Sequence, residues 1–364
     1  MKAAVTTELG AGFRVEDIDI DDPREREVLV RVKASGLCHS DLTVSVNDYG
    51  VPMPAVFGHE IAGVVEAIGP DVTEFVVGDH VVASLVHSCF ECDRCRAGKP
   101  WQCTDPNKWA RTPDDPAKLS RGGERIEDFQ GIGGFAEYSL VSENQLVKIP
   151  EEVPFDAASV LGCGVVTGAG AAINSADVSV GDTVAVFGCG GVGLNVIQGA
   201  RLAGAKTIIA IDLAVEKFEL ARKFGATHVV NPADGDTVEQ IRALTGGVGV
   251  DKAFEVIGLN LTVRQALESL AMGGQVYVVG LQRPDSTFEF EFDPDLMVGQ
   301  NTIQGVHMGT SSIKDDIAMF AQFYLQGRFN LDDLVSKHIG LEEIDEAYVE
   351  LKTGKTARSV VVFD

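Results

Sequence analysis

The sequence predicts a two-domain α/β protein: a mostly β portion followed by a doubly wound parallel sheet. Three observations carry that prediction. At 364 residues the chain is too long for one compact core. Its first 150 residues give short runs of period two punctuated by glycines. From about residue 181 onward, apolar strand-like runs alternate with helical stretches, the pattern of a parallel sheet covered by helices.

Taken in order, residues 1 to about 37 read as strands, with Val28, Val30 and Val32 alternating with Leu29, Arg31 and Lys33. That period of two turns one apolar face inward. Further strands are expected at 61–68 and 80–85, set off by Gly58, Gly63, Gly69 and Gly78. Residues 105–131 are rich in Pro, Asp, Arg and Gly without any period, and are expected to form a surface loop. Strand-like sequence resumes at 134–138 and runs on to Pro150, and the small-residue segment from Leu161 through Gly170 reads as helical. The second half then gives strand 183–188, helix 194–203, strand 207–211, helix 214–224, strand 228–231, helix 238–244, strand 250–257, helix 263–271 and strand 275–281. Helices at 313–325 and 344–351 and a strand at 358–363 follow, and on its own pattern the strand fits either domain.

Composition excludes several classes of function. Hydrophobic content of 45% with 23% charged residues is that of a soluble globular protein. No run approaches the roughly 20 apolar residues of a membrane helix. The start, Met1-Lys2-Ala3-Ala4-Val5 with Glu8 close behind, lacks the apolar core of a signal peptide, so a cytoplasmic location is expected. A net charge of -24, from 54 acidic and 30 basic residues, argues against nucleic acid or an anionic membrane as partner. It suits solubility in a salty or crowded cytoplasm, or simply a solvated acidic surface.

Seven cysteines in such a chain read as metal ligands or reactive groups rather than disulfides. Cys89, Cys92, Cys95 and Cys103 offer four thiolates within one loop, a closed tetrahedral shell for a structural Zn²⁺ with no position left for substrate. A [4Fe-4S] cluster also takes four thiolates, though usually at other spacings. A nucleic-acid-binding zinc ribbon is disfavoured by the acidic balance.

A second constellation lies at Cys38-His39-Ser40-Asp41 and Gly58-His59-Glu60. A thiolate, an imidazole, a hydroxyl and two carboxylates are the parts of a catalytic zinc site, which keeps about three protein ligands and leaves one position open. A third ligand is therefore needed from elsewhere, and spacing leaves Cys163, Cys189, His87 and Glu60 as candidates. Cys163, among small residues, also reads as a buried apolar filler.

Gly188-Cys189-Gly190-Gly191-Val192-Gly193 follows a strand and opens a helix, giving G-x-G-x-x-G in the context that binds a dinucleotide pyrophosphate at a helix N-terminus. The next strand ends in Asp212, 19 residues beyond Gly193. An acid there binds the adenosine ribose diol and repels a 2′-phosphate, which favours NAD over NADP.

These motifs together resemble the zinc-dependent alcohol dehydrogenases of the medium-chain dehydrogenase/reductase superfamily, over essentially the whole chain. The resemblance implies a Rossmann domain at 165–307 inserted into a GroES-like catalytic domain of residues 1–164 and 308–364, and two zincs per chain, one catalytic and one structural. It assigns the catalytic metal to Cys38, His59 and Cys163, a transient carboxylate ligand to Glu60, and orientation of the ligand histidine to Asp41. Ser40 matches the hydroxyl that takes the alcohol proton as a hydride leaves the zinc-bound alkoxide for the nicotinamide. Its plainer alternative is a turn or helix-cap serine. His39 and Arg358 match pyrophosphate contacts, Lys217 a contact near the adenosine ribose, and Thr167 a further cofactor contact, and for Arg358 and Lys217 the plainer alternative is a solvated surface charge.

The sequence departs from the family pattern at Thr43, where many relatives carry a histidine that passes the proton onward. The proton must then leave through ribose hydroxyls and water, or through another base. Tyr49 and Leu85 fall where relatives place pocket-wall residues, an apolar slot suited to medium-length or aromatic primary alcohols with the aldehyde as product. Two alternatives are a glutathione-dependent formaldehyde dehydrogenase, for which no cationic cluster is evident, and a non-catalytic NAD- or zinc-binding protein, which would need no open metal position. Relatives form homodimers or homotetramers by joining cofactor domains.

Overall fold

Strand Glu27–Gly36 shows why the first half folds as it does: Val28, Val30 and Val32 are buried, as the period of two requires, and neighbours pair on both sides. The computed structural model describes residues 1–352 and 357–364, which divide into two units.

Unit 1 comprises Met1–Gly164 and Ser312–Asp364. Its larger sheet runs Leu146–Lys148, His80–Ala83, Glu60–Ile68, Glu27–Gly36, Arg358–Val362 and Val335–Ile339, with Tyr138–Ser142 also pairing with Glu27–Gly36. The closing strand thus belongs to unit 1: Val360 pairs with Gly36, Val361 with Ser35 and Val362 with Ala34, all antiparallel. A second sheet runs Arg14–Asp17, Lys2–Thr6, Ala55–Val56, Glu124–Asp128, Leu119–Arg121 and Asp19–Ile20. Phe13, Phe57, Phe129, Phe135 and Tyr348 fill the core against it, with ring centroids as close as 4.8 Å.

The expected loop at 105–131 is only partly a loop. Leu119–Arg121 and Glu124–Asp128 form a hairpin across Gly122 and Gly123, both at positive φ (55° and 88°). Polar side chains fill these strands, leaving only Leu119 and Ile126 buried, so no apolar alternation announced them. The loop before the hairpin is pinned by Arg111, whose Nε and Nη2 donate to the Glu27 carboxylate at 2.8 and 2.6 Å. Its Nη1 donates to Asp21 Oδ2 at 2.6 Å, and the remaining N–H groups reach the carbonyls of Asp22 and Pro116. All five guanidinium donors are engaged.

Unit 2 is Val165–Ser311, so the second boundary falls at 311/312, four residues beyond the expected 307/308. Its sheet is parallel throughout, in the order His228–Val230, Thr207–Ile211, Thr183–Phe187, Val250–Glu255, Leu270–Val278, Thr302–Gly305. Ala185, Phe187, Ile209, Ile211, Ala253 and Val276 build the core beneath helices Thr237–Leu244 and Asn260–Glu268. The strand expected at 275–281 begins at Leu270 and ends at Val278, and its pairing with Val250–Glu255 shifts register across Gly273 and Gly274, where the apolar pattern also breaks. Short polar strands Thr302–Gly305 and Val335–Ile339 carry too little periodicity to be foreseen. Among the described residues no single helix is long and apolar enough to cross a membrane, and one bent pair passes by length and composition alone.

Candidate metal centres and active site

One helix start presents much of the first site. Cys38 precedes helix His39–Val46 in extended conformation, and Ser40 and Asp41 lie in the first turn. The Asp41 carboxylate is fully buried, and its Oδ1 accepts hydrogen bonds from Gly58 N (3.0 Å) and from His59 Nδ1 (2.9 Å). Gly58 has φ 88°, and a Cβ there would meet Phe135 N at 2.7 Å, so only glycine brings its N–H to Asp41. With Nδ1 engaged, His59 turns Nε2 toward Cys163 Sγ (3.3 Å) and Ser40 Oγ (3.5 Å). Ser40 Oγ also donates to Cys38 Sγ at 3.2 Å. Cys163 sits at a backbone break between the turn Val160–Gly162 and helix Gly164–Gly170.

Donor atoms of Cys38, His59, Glu60 and Cys163 all lie within 4.8 Å of one another. Two sulfurs, an imidazole nitrogen whose other nitrogen is held by a carboxylate, and a nearby carboxylate form a donor set that fits catalytic Zn²⁺. Of the candidates for third ligand, the structure brings Cys163 and Glu60 to the cluster. Cys189 is buried in unit 2, and His87 Nε2 donates to the Gln130 carbonyl at 2.9 Å. Between the two thiols, a shared hydrogen bond pushes the pKa of Cys38 well below its usual value and that of Cys163 well above.

Behind the cluster, Glu60 begins strand Glu60–Ile68, and burial lifts its pKa to about 7 against the opposing pull of Arg358. Arg358 Nη2 donates to Glu60 Oε1 at 3.2 Å and lies 3.8 Å from Cys38 Sγ. The arginine side chain is only 4% exposed, which rules out a solvated surface charge. Sequence reasoning assigned Arg358 to the cofactor pyrophosphate and missed this ion pair, because nothing in the spacing joins residues 298 positions apart.

Cys89, Cys92, Cys95 and Cys103 bring their sulfurs within 4.8 Å of one another. Backbone N–H groups of Glu91 and Cys92 point at Cys89 Sγ (3.4 and 3.2 Å), and that of Cys89 at Cys103 Sγ (3.3 Å). Such donors stabilise thiolate sulfur, and a closed four-sulfur set fits structural Zn²⁺.

In unit 2 the glycine loop follows strand Thr183–Phe187 and opens helix Gly191–Ala203, with Gly190 at its N-cap. A Cβ on Gly193 would overlap the Gly188 carbonyl oxygen, which explains the glycine. Val192 is half-buried in the first helical turn. Asp212 Oδ2 accepts from Cys189 N (2.8 Å) and Lys217 Nζ (3.0 Å), and Oδ1 from Ala214 N (2.9 Å). Lys217 is therefore also paired rather than simply solvated. Thr167 Oγ1 donates to Met308 Sδ at 3.4 Å.

The remaining predicted residues are more dispersed. His39 is exposed at the helix start, and Thr43 lies one turn beyond Ser40 on the same helix, half-buried. Tyr49 packs on the core that holds Phe57, whereas Leu85 packs on a separate one around Val32, Ile61 and Val81.

A parallel nucleotide-type sheet and a buried two-sulfur, one-imidazole metal site define a metal-dependent dehydrogenase. Residues 24–151 match the alcohol dehydrogenase GroES-like domain, and residues 191–323 the zinc-binding dehydrogenase domain. The chain is 36% identical to the NDMA-dependent alcohol dehydrogenase of Amycolatopsis methanolica, covering 99% of this chain and 98% of that one. It is also 36% identical to an alcohol dehydrogenase class-3 of Cereibacter sphaeroides, covering 100% and 99%. The crystal structure of benzyl alcohol dehydrogenase from Acinetobacter calcoaceticus superposes with TM-score 0.93 at 38% identity, covering 100% and 99%. The chain belongs to the zinc-dependent alcohol dehydrogenases of the medium-chain dehydrogenase/reductase superfamily, and it is an oxidoreductase.

Proposed function

We propose that the protein oxidises a primary alcohol, aliphatic or aromatic, to its aldehyde with NAD⁺, and catalyses the reverse reaction. The observation that carries this reading is the Ser40 hydroxyl set 3.2 Å from Cys38 Sγ and 3.5 Å from His59 Nε2, beside the donor set of Cys38, His59 and Cys163 with Glu60 close by. When bound, Zn²⁺ supplies Lewis acidity toward an alcohol oxygen and NAD⁺ a hydride acceptor. Ser40 Oγ receives the alcohol proton. Thr43, one helical turn on, offers a hydroxyl that relays a proton but does not store one near neutral pH, so release continues through ribose hydroxyls and water. Asp41 keeps the His59 proton on Nδ1, leaving Nε2 as the donor atom. The Arg358 guanidinium offsets the negative charge of Glu60 and Cys38.

For the cofactor, Asp212 stands at the strand end, and the four residues after it, Leu213, Ala214, Val215 and Glu216, bring no cation for a 2′-phosphate. Lys217 is already held by Asp212. His39, Thr167 and Arg358 are carried as cofactor contacts on family likeness. Two zincs per chain are proposed from the two donor sets. The relative from Acinetobacter is named for benzyl alcohol, which supports the aromatic branch of the substrate range, with Tyr49 and Leu85 as slot walls.

The test is a panel of benzyl, hexyl and short secondary alcohols and small polyols with NAD⁺ or NADP⁺, run with and without NDMA because one relative is named for dependence on it. Higher kcat/KM for secondary alcohols or polyols than for benzyl or hexyl alcohol overturns the substrate reading, and preference for NADP⁺ the cofactor reading. A second reading rests on the class-3 relative: oxidation of a formaldehyde–glutathione adduct, checked by adding glutathione and formaldehyde to the panel. We propose homodimers or homotetramers joined at the cofactor unit, where the sheet-edge strand Thr302–Gly305 follows exposed Phe292, Met297 and Val298. Light scattering giving a monomer mass overturns that assembly.

A further inference from the structure

Glu255 ends strand Val250–Glu255 with none of its surface exposed, and a buried polar group costs free energy unless it is hydrogen-bonded. No ion pair meets its carboxylate among the described residues. Instead Glu255 Oε1 accepts three hydrogen bonds, from Ile257 N (2.9 Å), Gly258 N (2.8 Å) and Thr262 Oγ1 (2.7 Å). Its backbone carbonyl accepts two more, from Val279 N (2.8 Å) and Gly280 N (3.0 Å). One residue therefore ties together the turn leaving its own strand, the first turn of helix Asn260–Glu268 and the turn leaving the neighbouring strand Leu270–Val278.

These turns touch the glycine loop. A Cβ built on Gly188 (φ 102°) would meet Ile257 Cγ1 at 2.7 Å, and one on Gly258 (φ 89°) would meet the Leu281 carbonyl carbon at 2.9 Å. All lie at the carboxyl ends of adjacent parallel strands, the edge at which open α/β sheets take their ligands. Glu255 Oε2 is buried without a partner among the described residues.

We propose that Glu255 is a positioning residue for dinucleotide binding: by fixing Ile257 against Gly188 and Gly258 against Leu281 it preserves the shape of the pyrophosphate-binding turn. This inference rests on the NAD reading above. NADH affinity is measured by nicotinamide fluorescence on the zinc-loaded full chain for wild type, Glu255→Ala, Glu255→Gln and Thr262→Val. Loss of all three hydrogen bonds to Oε1 predicts a Kd raised about tenfold or more in Glu255→Ala. Glu255→Gln keeps an acceptor oxygen, and Thr262→Val removes one donor of three, so each is expected to raise Kd only about two- to fourfold. The loss should appear in Kd and in KM for NAD⁺ rather than in kcat or zinc content.

Wild-type failure to bind NADH overturns the cofactor reading and this inference with it. Wild-type binding with an unchanged Kd in folded, zinc-replete Glu255→Ala overturns this inference alone, as does a loss confined to kcat. If Glu255→Ala does not fold, Thr262→Val decides: a wild-type Kd there overturns the proposal, and a raised Kd with unchanged kcat supports it.

Discussion

Replacing Asp41 separates the two metal centres. Asp41 Oδ1 takes both His59 Nδ1–H and Gly58 N–H in a fully buried position. Asp41→Ala leaves two buried donors without an acceptor, at about 1–3 kcal/mol each before relaxation. The carboxylate partner of a ligating histidine is worth about 10–100-fold in metal affinity. At about 1.4 kcal/mol per tenfold change, that is roughly 1.4–2.8 kcal/mol, the same size as one lost hydrogen bond. Asp41→Ala should therefore weaken zinc binding at Cys38, His59 and Cys163 by about 100-fold, and Asp41→Asn, whose amide oxygen still accepts, by about tenfold. Titration against a chromophoric chelator resolves the two sites, with the four-cysteine centre as internal reference. Undiminished affinity at the His59 site in Asp41→Ala refutes the role of Asp41, and equal weakening at both sites shows that the variant has lost its fold instead.

Other outcomes follow from the same geometry. Cys163→Ala should lose one zinc of two and all alcohol oxidation while keeping its circular dichroism, and retention of both zincs would contradict its place as third ligand. Thr43→His puts an imidazole one turn beyond Ser40 and should add a further inflection at about pH 6–7 to the wild-type pH profile of hydride transfer, and an unchanged profile counts against a relay through this position. Arg111→Ala strands the buried Glu27 and should cost about 3 kcal/mol, a Tm lowered by roughly 6–12 °C for a unit of this size. Burial pushes Asp21 upward, but the Arg111 hydrogen bond and charge outweigh it and hold the carboxyl below its usual 3.8. That stabilisation is present above 3.8 and is lost as pH falls through the lower folded value, so the Tm gap to wild type should narrow in that acid range. With net charge -24, raising salt from about 0.1 to 1 M, which shortens the Debye length from about 10 to 3 Å, should raise Tm, and a flat response counts against self-repulsion as a stability term.

Much of this was legible in the sequence where local pattern and local chemistry coincide. The glycine loop, Asp212 and the four-cysteine loop each lie within a few turns of chain, so spacing alone exposed them. Cys163 was different: its distance from Cys38 carries no periodic signal, and the residues by themselves left it level with Cys189 and His87 until family likeness separated them. The Arg358–Glu60 pair and the Glu255 hub were not legible, because each depends on how strands are ordered in a sheet. Polar strands failed for the opposite reason. Leu119–Arg121, Thr302–Gly305 and Val335–Ile339 are held by ladder hydrogen bonds with few apolar side chains, so the hydrophobic pattern had nothing to report.

Strand Arg358–Val362 lies inside the unit 1 sheet, between Glu27–Gly36 and Val335–Ile339, and carries the arginine that neutralises Glu60. On the ribosome, the proposed zinc ligands Cys38, His59 and Cys163 all emerge long before that strand does. Every residue of unit 2 is synthesised in the interval. Until that strand is made, Glu60 and Cys38 lack the guanidinium that lies against them in the folded chain, while the cofactor unit has its whole sequence available to fold.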